Sequence, residues 1–207
     1  MVLSFFSYFY HHSPCCFWVM VIIAVFSLLS ILNGNLFSRL LFHPYSVVYR
    51  KEYYRLVSGD LVHNDIIHLV ISELIIGAMC SQLEWCLRSR SGYGGWFFLA
   101  IYFGSSLAGT IPASIRNFKD FGYSSAGASG SITGCIFSYI ILRPNVIAYY
   151  LPVIGPVKNI YGGFYVLTGL IIYKWKSKNE MVNHEVHFYG ALGGTVITLI
   201  LFPGSVI

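Results

Sequence analysis

The sequence predicts an all-α protein that crosses a membrane several times. Of its 207 residues, 56% are hydrophobic and only 10% are charged, whereas soluble domains carry about 25% charged residues. The mean hydropathy is +0.67, and the charges stand in short groups between long uncharged stretches. The lipid bilayer is therefore the expected environment. The composition argues against a disordered chain, a nucleic-acid-binding domain and a disulfide-stapled secreted module.

The first three predicted spans cover residues 16–33, 61–83 and 96–115. Each is long enough for a spanning helix, which needs about 17–25 apolar residues. No basic segment precedes the first span, so we interpret it as a helix rather than a cleaved signal peptide. The second span carries ionisable residues in or near the apolar stretch, namely His63, Asp65, His68 and Glu73. Ionisable groups at membrane depth indicate function.

The last three predicted spans cover residues 124–142, 159–173 and 184–202. The fourth is rich in small residues, and its glycines at 130 and 134 would let another helix approach closely. Residues 144–157 are apolar but contain three prolines, so we expect an interfacial loop there rather than a helix. The sequence thus predicts one domain, residues 1–207, built as a six-transmembrane-helix bundle.

Ser129 is the first candidate for chemistry. It lies in Gly127-Ala128-Ser129-Gly130, at the head of the fourth span. A serine in a glycine-flanked turn can be accessible for nucleophilic attack. Small residues around a serine are also typical of helix-packing faces, so this motif alone leaves both interpretations open.

His187 opens the sixth span, followed by Gly190 and Gly194 on one helix face. This smooth face could dock against the glycine face of the fourth span and bring His187 to Ser129. A histidine can take the proton of a serine and so activate it. A histidine at a helix start can also be a solvated cap, and His184 is expected to be a neighbour on the loop side rather than the base.

His68 and Ser72 are four residues apart in the second span, so they share a helix face. Their imidazole and hydroxyl are donors that an oxyanion could use. For His63 we prefer a structural role, with the ring satisfied by local carbonyl groups. Glu73 points about 100° away from Ser72 and is expected to pair with another span.

Together, these motifs resemble those of rhomboid intramembrane serine proteases of the compact bacterial type. The motifs are His63-x4-His68-x3-Ser72, Gly127-x-Ser129-Gly130 and His187-x2-Gly190-x3-Gly194, in the family's order. Further matches are the pair Tyr54-Arg55 before the second span and Glu84 after it. The similarity extends from about residue 45 to the end of the chain.

The resemblance implies a serine endopeptidase that cleaves transmembrane segments of membrane proteins with a Ser129–His187 dyad. His68 and the backbone N–H of Ser129 would hold the oxyanion, with Gly127 and Gly130 shaping the site. No cofactor and no metal are implied. The substrates would be transmembrane proteins that enter from the lipid bilayer.

One position departs from the family. Its asparagine falls on Ser72, so a short hydroxyl replaces a longer amide donor. Loss of one oxyanion donor costs serine proteases about 10²–10³ in rate. Slower turnover or a different substrate fit would follow.

The resemblance also implies a multi-pass protein of the bacterial inner membrane, with a cytoplasmic N-terminus and the catalytic side outside. The charges favour the opposite orientation. Nine of the thirteen basic residues fall in the connections after spans one, three and five, and basic loops generally stay in the cytoplasm.

The motifs also bear on three other classes of membrane protein. A metalloprotease would need H-E-x-x-H, and His184-Glu185-Val186-His187 is one residue too short. A transporter with a histidine proton relay should show repeated halves, and the sequence shows none. A rhomboid-like protein that binds transmembrane segments with weak or no catalysis stays open, although both residues of the dyad are present.

Overall fold

The computed structural model describes residues 9–151, 155–161 and 184–204, and the described chain is almost entirely helical. The helices are α1 (Pro14–Leu32), α2 (Gly34–Leu40), α3 (Pro44–Tyr49), α4 (Arg55–Ser58), α5 (Ile66–Ile75), α6 (Ser81–Arg90), α7 (Gly94–Asn117), α8 (Ser129–Leu142) and α9 (His184–Leu201). A 3-10 turn, Gly59–Leu61, follows α4, and a π-helical turn, Ile76–Cys80, joins α5 to α6. The predicted polar connection before the second span therefore holds short helices.

Among the described residues, three helical stretches are long and apolar enough to cross a bilayer: α1, the continuous run Ile66–Arg90 and α7. Helix α8 is apolar but has 14 residues, and α9 has 18. The predicted fifth span, 159–173, lies largely outside the described residues. The chain is thus a helical membrane protein, and the number of six spans stays a prediction.

Two predicted spans begin later than expected, in each case because the backbone is held out of the helix. Helix α5 starts at Ile66, where the Asp65 side chain caps it by accepting from the backbone N–H of His68 at 2.8 Å. Helix α8 starts at Ser129, after Gly127 adopts a φ of +117°. A residue with a positive φ does not fit into a right-handed α-helix, so α8 cannot extend back through Gly127.

The predicted interfacial loop at 144–157 is in part a β-hairpin, which corrects that expectation within an otherwise helical fold. Strand β1 (Ile147–Leu151) pairs antiparallel with β2 (Gly155–Lys158). The prolines prevent a helix here, and pairing two short strands gives the remaining backbone groups hydrogen-bond partners.

Arg55 braces the connection that leads into the second span. Its side chain is buried and forms an ion pair with Glu52. The guanidinium also donates to the backbone carbonyls of Ser38 and Leu41, each at 2.9 Å. The arginine therefore links three segments of the connection. Arg55 of the Tyr54-Arg55 pair thus has a structural role.

Glu84 holds the start of α1 against α6. The fully buried carboxylate accepts from the backbone N–H groups of Cys15 at 3.1 Å and Cys16 at 2.7 Å. An acidic group at a helix N-terminus satisfies amides that the helix leaves free and suits the helix dipole. The beginning of α1 and the first turn of α6 therefore lie together.

Helices α7, α8 and α9 pack against one another, and α1 and α5–α6 complete the core. The glycine faces of α8 and α9 meet: a Cβ on Gly190 would overlap the backbone of Gly130, and one on Gly194 would overlap that of Gly134. The predicted docking of the two glycine faces is therefore observed. Only residues without side chains allow two helix backbones to approach this closely.

Candidate active site

Ser129 and His187 meet at the end of the interface between α8 and α9. The Nε2 atom of His187 lies 2.5 Å from the Oγ atom of Ser129, although 58 residues separate the two in sequence. Ser129 is the first residue of α8, and His187 lies in the first turn of α9. His187 is 8% exposed and Ser129 is half-buried. His187 is thus almost fully buried, and part of Ser129 stays accessible.

The distance between Nε2 and Oγ fits the histidine tautomer that base catalysis needs. A serine hydroxyl that donates to Nε2 requires a lone pair there, so the neutral imidazole carries its proton on Nδ1. Nδ1 of His187 is buried and has no hydrogen-bond partner within the part of the chain that the structure describes. The arrangement is a two-residue one among these residues, and it presents the base directly to the serine oxygen.

Gly127 brings the loop before Ser129 against the ring of His68. With a φ of +117°, Gly127 has a backbone conformation that other residues rarely adopt. A Cβ at this position would stand 2.8 Å from the Cε1 atom of His68. Only a glycine therefore allows the loop and the imidazole to lie this close, and His68 is placed beside the Ser129 loop.

Two helices begin at the site. Ser129 opens α8 and His68 lies in the first turn of α5, and His187 of α9 lies beside Ser129. The first amides of a helix have no partner within it, and its N-terminal end carries partial positive charge. The backbone N–H of Ser129 is one of these amides. Such an end is a ready site for developing negative charge.

Ser72 lies one turn beyond His68 on α5 and is buried, with 3% of its surface exposed. It thus faces the protein interior, as its four-residue spacing from His68 predicts. Gly130 lies on the α8 face that contacts α9, directly after Ser129. The structure therefore gathers the residues that the sequence motifs singled out around one helix junction.

His63 is held by a serine from the first helix rather than by the local carbonyls that we expected. The Oγ atom of Ser27 lies 2.9 Å from Nδ1 of His63 and donates its hydrogen to the carbonyl of Leu61, also at 2.9 Å. Because that hydrogen is already used, Nδ1 of His63 is the donor in the other bond. The fully buried ring then packs edge-on against His68, with centroids 4.8 Å apart.

Ser27, Asp60 and Ser131 are neighbours of the site that the motifs did not indicate. The hydroxyl of Ser131 donates to the Asp60 carboxyl at 2.5 Å, and all three residues are buried. A weak signal for each exists in the sequence. Ser27 is one of two serines in the apolar run of the first span, and Asp60 is an acidic residue directly before an apolar segment.

Glu73 does not show the expected pairing in the described part of the chain, where its buried Oε1 has no hydrogen-bond partner. His184 begins α9, one turn before His187, and lies on the loop side as expected. Among residues 9–151, 155–161 and 184–204, no three His, Cys, Asp or Glu side chains are grouped so that they could hold a metal ion.

Comparison with known proteins agrees with this architecture. The sequence model of the Rhomboid domain matches residues 50–204, which is three quarters of the chain and includes every motif residue of the site. A comparison with curated proteins finds no significant match. The match to the family model covers the segment from the brace of Arg55 to the end of α9, and the chain therefore belongs to the rhomboid family.

Proposed function

We propose that this rhomboid-family protein is an intramembrane serine endopeptidase. The observation that carries the proposal is the hydrogen bond between Ser129, at the start of α8, and His187 of α9. A serine is a weak nucleophile until a neighbouring base takes its proton. Here, the base lies at hydrogen-bond distance within an otherwise apolar helical protein, so the pair is suited to acyl transfer at membrane depth.

In the proposed reaction, Nε2 of His187 accepts the hydroxyl proton as Oγ of Ser129 attacks the carbonyl carbon of the scissile peptide. The carbonyl oxygen becomes an oxyanion, which accepts hydrogen bonds from the backbone N–H of Ser129 and from His68. Preorganised donors of this kind can each supply about 3–4 kcal/mol to the transition state. His187 then gives the proton to the leaving amine, and an acyl-enzyme remains on Ser129.

Hydrolysis of the acyl-enzyme repeats these steps with water. His187 takes a proton from the water, the hydroxide attacks the ester carbon, and Ser129 leaves with the proton returned by His187. Because serine, histidine and water account for every proton, the reaction needs no cofactor. The half-buried Ser129 lies at the helix starts, so water is expected to reach it from the connecting loops.

The proposed substrates are transmembrane segments of membrane proteins. A peptide bond inside a helix is shielded by its own backbone, so the segment has to unwind before Ser129 can attack. In lipid, an unwound backbone would leave polar groups unsatisfied. The free amides at the start of α8 and the imidazole of His68 offer partners to the extended stretch, which favours cleavage at the site over cleavage in the bilayer.

The test is labelling of the detergent-purified protein with a fluorophosphonate, which reacts only with activated serines. We expect wild type to be labelled, and Ser129→Ala and His187→Ala to show no labelling above background. Ser38→Ala removes an exposed serine in α2 and should be labelled at the wild-type rate. Equal labelling of wild type and Ser129→Ala would contradict the proposal.

A second candidate function follows from Ser72. With a short hydroxyl where the family has an amide, a protein that binds transmembrane segments but cleaves them slowly or not at all is the alternative. A folded wild type that shows no labelling but retains a transmembrane peptide on co-purification would favour this alternative. Folding is checked by a cooperative thermal transition in the same detergent.

A further inference from the structure

Asp60 is a buried carboxyl group that the proposed chemistry does not use. It lies in the 3-10 turn before α5 and is 6% exposed. It accepts a hydrogen bond from the hydroxyl of Ser131 at 2.5 Å, and the hydroxyl of Ser106 in α7, which bonds to the carbonyl of Leu56, lies near it as well. Within the described part of the chain, no lysine or arginine forms an ion pair with it.

The surroundings favour the neutral form of this carboxyl. Burial raises the pKa of Asp60 to about 7, and the hydroxyls of Ser131 and Ser106 act in the opposite direction. A neutral carboxyl offers an acceptor oxygen and a hydroxyl donor, which is close to the hydrogen-bonding capacity of an asparagine amide. Asparagine is therefore the conservative replacement at this position.

The turn that carries Asp60 is bonded to both sides of Ser129. The carbonyl of Gly59 accepts from the backbone N–H of Gly127 at 2.9 Å, two residues before Ser129. Asp60 accepts from Ser131, two residues after it. Consecutive residues of one turn thus hold the loop that enters α8 and the first turn of α8 itself.

The bond to Ser131 also controls the rotation of α8 about its own axis. Two residues along an α-helix correspond to about 200°, so Ser131 projects from the face opposite Ser129. The bond between Ser131 and Asp60 therefore holds the first turn of α8 on the side away from Ser129, and this fixes the direction of the Ser129 hydroxyl. Without that bond, the first turn of a helix is its least constrained part, since no side chain caps α8.

Stability alone does not account for a polar cluster in this place. A carboxyl and two hydroxyls are costly to bury even when they are hydrogen-bonded, and apolar side chains of similar volume often give equal or greater stability. A group that is kept in spite of this cost is more readily explained by the geometry that it imposes on its neighbours.

The geometry points to Asp60 as a positioning residue for the nucleophile. Its hydrogen bond with Ser131, together with the neighbouring Gly59–Gly127 bond, holds Oγ of Ser129 in line with Nε2 of His187. Asp60 itself does not touch the reacting atoms. This inference rests on the proposed protease function. It assigns to a residue outside the family motifs a part in the reaction rate.

The experiment compares Asp60→Ala, Asp60→Asn and Ser131→Ala with wild type, using the rate constant of fluorophosphonate labelling and the turnover of a transmembrane peptide. We expect Asp60→Ala and Ser131→Ala to lower both the labelling rate and kcat at least tenfold with little change in KM. Asp60→Asn should stay within about threefold of wild type, because its amide oxygen still accepts from Ser131. Ser131→Ala is the smaller change and serves if Asp60→Ala does not fold.

Ser138→Ala is the matched control. It removes another buried hydroxyl of α8, which donates to the carbonyls of Gly134 and Gly194 far from Ser129. Its melting temperature should fall about as much as that of Ser131→Ala, with labelling at the wild-type rate. If Ser131→Ala behaves like Ser138→Ala, or if Asp60→Asn is as slow as Asp60→Ala, the positioning role is wrong. Absence of labelling in wild type would instead overturn the protease function.

Discussion

At the scale of single residues, the candidate site rests on two side chains, those of Ser129 and His187. One hydrogen bond of 2.5 Å couples them, and in the proposed reaction Nε2 of His187 accepts the serine proton. The residues around them act mainly by shape. Gly127 admits the ring of His68, and the hydroxyl of Ser27 orients His63, which packs against that ring.

Ser72 gives the prediction at this scale. Ser72→Asn places a longer amide donor beside His68, and we expect turnover of a transmembrane peptide to rise about tenfold, a part of what one oxyanion donor contributes. Ser72→Ala should change turnover less than threefold, since the short hydroxyl is not expected to reach the oxyanion. A loss of a hundredfold in Ser72→Ala would show that the serine hydroxyl is itself a donor. Steady-state cleavage of the same peptide by the three proteins decides between these outcomes.

At the scale of elements, the site depends on how closely α8 and α9 approach. Their glycines bring backbone against backbone, and this approach carries Ser129 and His187 to the same point. Helix α5 is attached to this pair by its own start, where Asp65 caps it and His68 projects. The Arg55 brace then ties the preceding connection to the same end.

Gly194→Ala tests this dependence. The new methyl group would overlap the backbone of Gly134, so the helices have to move apart. Overpacking of this kind costs about 1–3 kcal/mol, and we expect a lower melting temperature together with a labelling rate at least tenfold lower. Val196→Ile adds a methyl group to an exposed side of the same helix and should change neither quantity. Wild-type labelling in a correctly folded Gly194→Ala would contradict this account of the dyad.

At the scale of the whole molecule, the two ends of the helical body are clearly distinguished. The Glu84 cap ties the start of α1 to the first turn of α6 at one end. The bond of Ser27 to His63 places the later part of α1 near the site. Two of the basic residues on the side of the site form ion pairs. Arg55 is buried and pairs with Glu52, and Arg116 pairs with Glu185 at 3.1 Å. The conflict between the charge count and the family orientation stays, because the rule counts basic residues and acidic partners contribute little to it.

Cysteine labelling of intact cells tests that orientation. Gly92→Cys lies in the exposed turn after α6, where a side chain meets no neighbour, and Lys51→Cys lies in the exposed connection on the site side. An impermeant maleimide should label Lys51→Cys from outside and Gly92→Cys only after permeabilisation. The five native cysteines are buried or half-buried, so the background is low. The reverse pattern would put the site in the cytoplasm and contradict the family orientation.

The sequence by itself determined the membrane environment, because charge-free runs of spanning length are a property of composition and order alone. It also indicated the residues of the proposed dyad, since Ser129 and His187 stand in short motifs that resemble those of the rhomboid family. The apolar pattern could not show where helices α5 and α8 begin or that a hairpin follows α8, because caps, a left-handed glycine and strand pairing decide these points. The Asp60–Ser131 bond, the Ser27–His63 bond and the Glu84 cap were decided by tertiary structure alone. Each joins residues that are 36 to 71 positions apart, and no local pattern records which distant partner a buried polar group will find.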